Sequence, residues 1–402
     1  MNGKLLKQAM EMKTRLIQHR RWLHQHPETG FDLAKTQAYV RRELEMMGLS
    51  PSDCGKCGLV VEITGTPGKT ILLRADMDAL PIREETAVDF AAANGNMHAC
   101  GHDLHTAMLL GAAKLLADNR DRLKGTVRLL FQAAEETLEG ARDVVESGVT
   151  QCVDAAAMIH VIPAAPMPAG TVIVAPPGIS APSAAYFTVC VTGKGCHGAA
   201  PWKGVDALSA GAHILVALEA LMARELPTDS GAVLTVGKFL SGTAGNAIAG
   251  ETHLMGTLRA TRDETMEFLK QRITDISRGI AAAFRSEAAV KFTAGCPALK
   301  NDPQLCGSFH RYLSQLLGSD WVLSGTEMGT VGGSEDFSWI SDQVPSVMLA
   351  LAAGEPEKGF THPLHHPKVT FDESVLPTGT AIFAQIAIEY LSESTEAPQQ
   401  IP

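Results

Sequence analysis

The 402-residue chain reads as an α/β protein in which a larger discontinuous domain, a mixed and mostly parallel sheet with flanking helices, is interrupted by a smaller inserted α+β domain. Three observations predict this. The chain exceeds what one compact core usually organises. Its first half alternates short apolar runs with amphipathic helical patterns, the signature of a parallel sheet covered by helices. From about Ser183 the order becomes strand, helix, two strands, helix and strand, that of a split βαβ sandwich.

The charged, regularly spaced N-terminus around Arg20–His24 reads as an amphipathic helix and carries no apolar core of a secretory signal. Strands are expected at Leu59–Thr64, Thr70–Arg74, Thr126–Phe131 and Ala155–His160, with a helix over Leu104–Ala117. The insert is expected to comprise a strand Ala185–Thr192, a helix Val205–Glu225, strands Ala232–Leu240 and Glu251–Ala260, a helix Asp263–Phe284 and a strand Ala289–Thr293. Short elements then return and end in a helix over Ser374–Leu391, with a disordered tail from Ser392. The larger domain is therefore assigned to 1–182 and 294–402, and the insert to 183–293. Ala155–Gly193 has no Asp, Glu, Lys or Arg and exceeds the roughly 20 residues of a membrane span. Pro163, Pro166, Pro168, Pro176, Pro177 and Pro182 break any helix there, so short buried strands are expected and no membrane association.

Hydrophobic residues make up 45% and charged residues 19%, with mean hydropathy +0.05; this is a globular composition. A net charge of -10 and 5% aromatics argue against nucleic acid or an anionic membrane as partner. The eight scattered cysteines fit a reduced, cytoplasmic protein better than a disulfide framework. Asp53-Cys54-Gly-Lys-Cys57 has no second cysteine pair at zinc-site spacing and reads as a turn. Gly101 and Gly332-Gly333 read as close backbone approaches to a site.

Chemistry concentrates in four segments. In Met97-His98-Ala-Cys100-Gly-His102-Asp103-Leu-His105, thiolate and imidazole two residues apart suit one transition-metal site ahead of a helix. Phe131-Gln-Ala-Ala-Glu135-Glu136 leaves a hydrophobic strand with two carboxylates, one suited to hold a dication and the other to act as base. His160 ends an apolar strand. His362, His365 and His366 are three imidazoles among which chemistry alone does not choose. Together these residues form the donor set expected for zinc, manganese or nickel, and a double-metal hydrolytic centre accounts for them economically.

Arg74-Ala-Asp76-Met-Asp78-Ala-Leu-Pro81, the Cys100-Gly-His102-Asp motif, Glu135-Glu136, Gly333-Ser-Glu335-Asp336-Phe337 and Arg21-Trp-Leu-His24-Gln-His-Pro27-Glu28 together resemble the M20 metallopeptidase family. Within it they resemble the amidohydrolase branch of hippurate hydrolases, N-acyl-amino-acid deacylases and plant auxin-conjugate hydrolases. The resemblance implies two divalent ions, Mn2+ or Zn2+ with Ni2+ or Co2+ as alternatives. Cys100 would bridge them with His102 beside it, Glu136 and His160 on one side and His365 on the other. Glu135 would be the general base, and Asp76 or Asp78 would support the ligands. The insert would be a ferredoxin-like lid and dimerisation domain. His197, in Gly195-Cys-His197-Gly, would stabilise the oxyanion, reaching it across a homodimer interface. Asn246 and Arg259 would hold a small N-acyl amino acid, or a peptide-like substrate, by its free carboxylate. A dipeptidase or carboxypeptidase on the same centre is the alternative activity. Cys196, Trp202 and Ala249 depart from the family's usual residues beside these positions, so the pocket is expected to differ while the metal centre does not.

Overall fold

The computed structural model describes residues 3–325 and 333–393; Gly332 and the tail beyond residue 393 lie outside them. Two compact units result, one from the described residues within 1–180, 300–330 and 336–402, the other from those within 181–299 and 331–335.

Among the described residues, the first unit contains an eight-stranded sheet in the order Ser52–Cys54, Gly58–Thr64, Gly125–Gln132, Lys69–Asp76, Ala155–Ile162, Ser346–Ala352, Val172–Val174 and Val322–Ser324. Its centre is parallel: Lys69–Asp76 pairs parallel with both Gly125–Gln132 and Ala155–Ile162, which pairs parallel with Ser346–Ala352. Antiparallel pairings occur at Gly58–Thr64 and at Val172–Val174. The uncharged stretch after Ala155 is indeed built of short strands. Cys54 ends an edge strand and Cys57 lies in the turn leading to Gly58.

Burial on both faces explains the runs of Ile, Leu, Val and Ala in the central strands, since a parallel sheet covered by helices leaves no polar face. Helix His102–Asp118 is itself buried nearly all round, as its apolar composition requires. It packs against the C-terminal helix Leu376–Ser392 and the N-terminal helix Lys13–Gln25. The amphipathic N-terminus forms two helices, Gly3–Glu11 and Lys13–Gln25, parted at Met12.

The second unit is a four-stranded antiparallel sheet in the order Ala232–Ser241, Glu251–Ala260, Ser183–Thr192 and Glu287–Cys296. Chain order against spatial order is that of a ferredoxin-like split βαβ unit. Val189, Val191, Leu254 and Leu258 share a core with Ile214 and Leu218 of helix Ala207–Arg224 and with Leu269 and Ile273 of helix Asp263–Ala283. Strand alternation sends Tyr186, Cys190, His253 and Arg259 to the opposite, helix-free face. The last strand, expected to end at Thr293, runs through Cys296 with a register shift between Phe292 and Gly295.

Candidate metal centre

Parallel strands all present their carboxyl ends at one edge, where side chains of the following loops converge. Strand Lys69–Asp76 delivers Asp76 and Asp78 to that edge, strand Gly125–Gln132 delivers Glu135 and Glu136, and strand Ala155–Ile162 delivers His160. The start of helix His102–Asp118 supplies Cys100 and His102. The loop after strand Ser346–Ala352 brings in His365, whose backbone N–H donates to the Ala99 carbonyl at 2.9 Å.

Cys100 Sγ lies 3.5 Å from His160 Nε2 and 3.3 Å from His365 Nε2. Glu136 Oε1 is 3.5 Å from His365 Nε2 and 3.9 Å from His102 Nε2, and Glu135 Oε2 is also 3.9 Å from His102 Nε2. Two donor groups share the one sulfur: Cys100 with His102 and His160, and Cys100 with Glu136 and His365. Glu136 therefore groups with His365, at 3.5 Å, rather than with His160 as expected. The choice among three imidazoles is also made, since His362 and His366 stack on each other at 4.2 Å while His365 reaches the sulfur.

Backbone groups set the ring orientations. His102 Nδ1 donates to the Asp78 carbonyl at 2.9 Å and His160 Nδ1 to the Val161 carbonyl at 2.8 Å, so each turns Nε2 inward. His102 Nε2 and Glu136 Oε1 are buried without a hydrogen-bond partner, a costly state unless another group satisfies them. Donor separations of 3.3 to 3.5 Å around the sulfur match the roughly 3.3–3.6 Å edges of a tetrahedron with zinc-like bond lengths. The residues present thus fit a pair of divalent cations.

Both aspartates support this cluster, by different routes. Asp78 accepts the backbone N–H groups of Glu135 and Glu136 at 3.0 and 3.1 Å, fixing the acidic turn. Ala134, just before that turn, has φ 58°, a left-handed strain typical of functional sites. Asp76 accepts from His105 Nδ1 at 2.6 Å, and Val161 N–H donates to His105 Nε2 at 2.9 Å, which fixes the tautomer of that ring. His105 was not foreseen in this role; its spacing of three from His102 on a helix was the available signal. Arg74, also unforeseen, donates to Asp76 at 2.7 Å, to Asp336 at 2.7 Å and to Gln132 at 3.0 Å, entirely buried. That contact joins the Arg74–Pro81 motif to the Asp336–Phe337 motif. Asp103 accepts from Arg20 and His24, each at 2.8 Å, tying the N-terminal motif to the same helix start.

Gly101, between the two donors of its motif, has φ +86°, and a Cβ there would collide with Val161 Cγ2. Gly101→Ala is expected to lower stability by about 1–3 kcal/mol and to reduce bound metal, read as a lower Tm and a lower metal content after desalting.

Burial pushes the Cys100 thiol up, yet the charges of His160 and His102 outweigh it and bring it down to about 6. The Cys100 sulfur and the Glu136 carboxylate beside it raise His365 to about 10. Burial opposes the His102 imidazolium, but Asp76, Cys100 and Asp78 hold it well above the usual histidine range. A pKa above ambient pH means that the metal-free ring holds a proton, which a cation must displace. Metal loading near neutral pH should accordingly release about two protons and tighten as pH rises. Calorimetry in buffers of different ionisation enthalpy reads this directly; buffer-independent heats would contradict it.

In the second unit His197 and Asn246 lie together. Ala247 pairs with His197, and Gly198 N–H donates to the Asn246 carbonyl at 2.7 Å. Ala199 N–H donates to His197 Nδ1 at 3.0 Å, leaving the proton on an exposed Nε2. Trp202 nearby is 73% exposed. Arg259 sits elsewhere. The His197 ribbon leaves the sheet where Thr192 opposes Glu251, whereas Arg259 is at the other end of that strand, roughly 26 Å away by strand rise. Arg259 thus stands at the far end of the strand from the ribbon that carries His197 and Asn246.

Donors converging on a shared thiolate beside the Glu135 carboxylate define a metal-dependent hydrolase, and the comparisons agree. The chain belongs to Peptidase family M20/M25/M40, whose profile matches residues 72–389. It is 35% identical over 382 residues to an N-acetylcysteine deacetylase of Bacillus subtilis, covering 93% of this chain and 96% of that protein. It is 36% identical over 390 residues to an IAA-amino acid hydrolase of Arabidopsis thaliana, covering 94% and 85%. A solved structure from Bacillus subtilis, described as a dinuclear metal binding peptidase of the M20 family, superposes with a TM-score of 0.78 at 32% identity, covering 95% of this chain and 99% of that one. The protein is thus a metal-dependent hydrolase of amide or peptide bonds in small substrates.

Proposed function

We propose that the protein hydrolyses the amide bond of N-acyl amino acids with a free carboxylate, of N-acetyl- or hippurate-like type. The observation that carries this reading is the Cys100 sulfur shared between two donor sets with the Glu135 carboxylate beside them. Relatives named for N-acetylcysteine and for IAA-amino acids support the substrate class.

Cys100, His102, Glu136, His160 and His365 would hold two divalent ions, Mn2+ or Zn2+, with Ni2+ or Co2+ also suited to the donors. Such ions, when bound, polarise the scissile carbonyl and make water acidic enough to react near neutral pH. Glu135, its backbone held by Asp78, takes the proton of the attacking water and passes it to the leaving nitrogen. His197, with its proton on Nε2, donates to the developing oxyanion. Arg259 binds the substrate carboxylate.

The separation of Arg259 from His197 and Asn246 favours a homodimer in which His197 and Asn246 serve the partner's centre. Strand Ala232–Ser241 is an unpaired edge carrying exposed Val233 and Leu240, a surface suited to such pairing. A thiolate ligand also favours the reducing cytoplasm.

The test compares hydrolysis of acetyl- and benzoyl-amino acids with hydrolysis of dipeptides by the Mn2+- or Zn2+-reconstituted protein, with products followed by mass spectrometry. N-acyl amino acids should be cleaved faster, and chelation should abolish the activity until metal is returned. Faster cleavage of dipeptides would replace this reading with a dipeptidase or carboxypeptidase.

A further inference from the structure

The helix-free face of the four-stranded sheet carries a second group of metal-type donors, wholly within the second unit. We propose that Cys190, Glu251 and His253 form a separate site for one borderline transition-metal cation of the zinc type. Glu251 Oε1 lies 3.4 Å from Cys190 Sγ and 3.2 Å from His253 Nε2. All three donor atoms fall within 4.8 Å of one another. The two separations to Glu251 are close to the roughly 3.3–3.6 Å donor–donor edges of a tetrahedral zinc site.

The backbone holds the donors in place. Cys190 is directly opposite His253 across the antiparallel ladder, and Glu251 is two residues from His253, hence on the same face. No loop has to be ordered when an ion binds. Thiolate, imidazole and carboxylate together select zinc-like ions over magnesium or calcium, which prefer all-oxygen shells. Glu251 and His253 are partly exposed, so water can fill the fourth position and the ion can enter from solvent. Burial and then the Glu251 carboxylate raise the Cys190 thiol above its ordinary range.

All three donors lie in the second unit and the Cys100 donors in the first, and the test follows Cys190 residue by residue. The full-length protein is treated with iodoacetamide with and without Zn2+, and alkylation of Cys190 is followed at the peptide level. Zn2+ should slow alkylation of Cys190 by about tenfold or more, because a metal-bound thiolate is shielded. That protection should disappear in His253→Ala and weaken in Glu251→Gln. Cys190→Ala should bind one zinc equivalent fewer than the wild-type chain while keeping its circular dichroism. Equal alkylation of Cys190 with and without Zn2+, or full protection in His253→Ala, would overturn the proposal.

Discussion

Glu135→Gln is expected to lower turnover by about 10³-fold while leaving the metal content unchanged, because glutamine keeps the size of the side chain and removes its basicity. Glu136 approaches His365 at 3.5 Å while Glu135 Oε2 lies 3.9 Å from His102 Nε2, and Asp78 anchors both backbone N–H groups of the acidic turn. The companion variant Glu136→Gln should instead lose metal, since its Oε1 belongs to the donor set around Cys100. Steady-state kinetics with metal analysis on both variants separates the two roles. A Glu135→Gln enzyme with near wild-type turnover would remove the general base from the mechanism.

Asp336→Ala is expected to destabilise the protein by about 3–5 kcal/mol, since removing one partner of a buried ion pair leaves the other charge poorly compensated. Asp336 accepts from Arg74 at 2.7 Å, from Gln132 at 2.9 Å and from the Ala141 N–H at 2.8 Å, with no solvent access. Arg74 would retain Asp76 as its only carboxylate among these contacts, and Asp76 orients His105 beside the metal ligands. Denaturant unfolding should show a lower midpoint, and metal should dissociate more readily. Replacing both ends, as Arg74→Met with Asp336→Asn, should cost less than the sum of the single changes, because it removes the stranded charge. Strict additivity would show that the pair is not coupled.

The sheet's parallel centre and the insert were legible because burial imposes periodicity on the chain. Central strands such as Ala155–Ile162 are apolar on both faces, and insert strands such as Glu251–Ala260 alternate. Less legible were the short strands Val172–Val174 and Val322–Ser324, since three residues carry no period. The two-helix N-terminus was read as one helix because both halves share an amphipathic pattern across the break at Met12.

Residue types at strand ends pointed to a metal centre, and the resemblance of the motifs to the M20 family assigned the individual roles. Only the tertiary structure decided which imidazole reaches the sulfur, that Glu136 sides with His365, and that Arg74 links two motifs 262 positions apart. It also decided that Arg259 stands at the end of strand Glu251–Ala260 away from the ribbon that carries His197. These are facts of through-space distance set by packing and register, and local sequence pattern carries no information about contacts that depend on how distant strands and loops are brought to one edge.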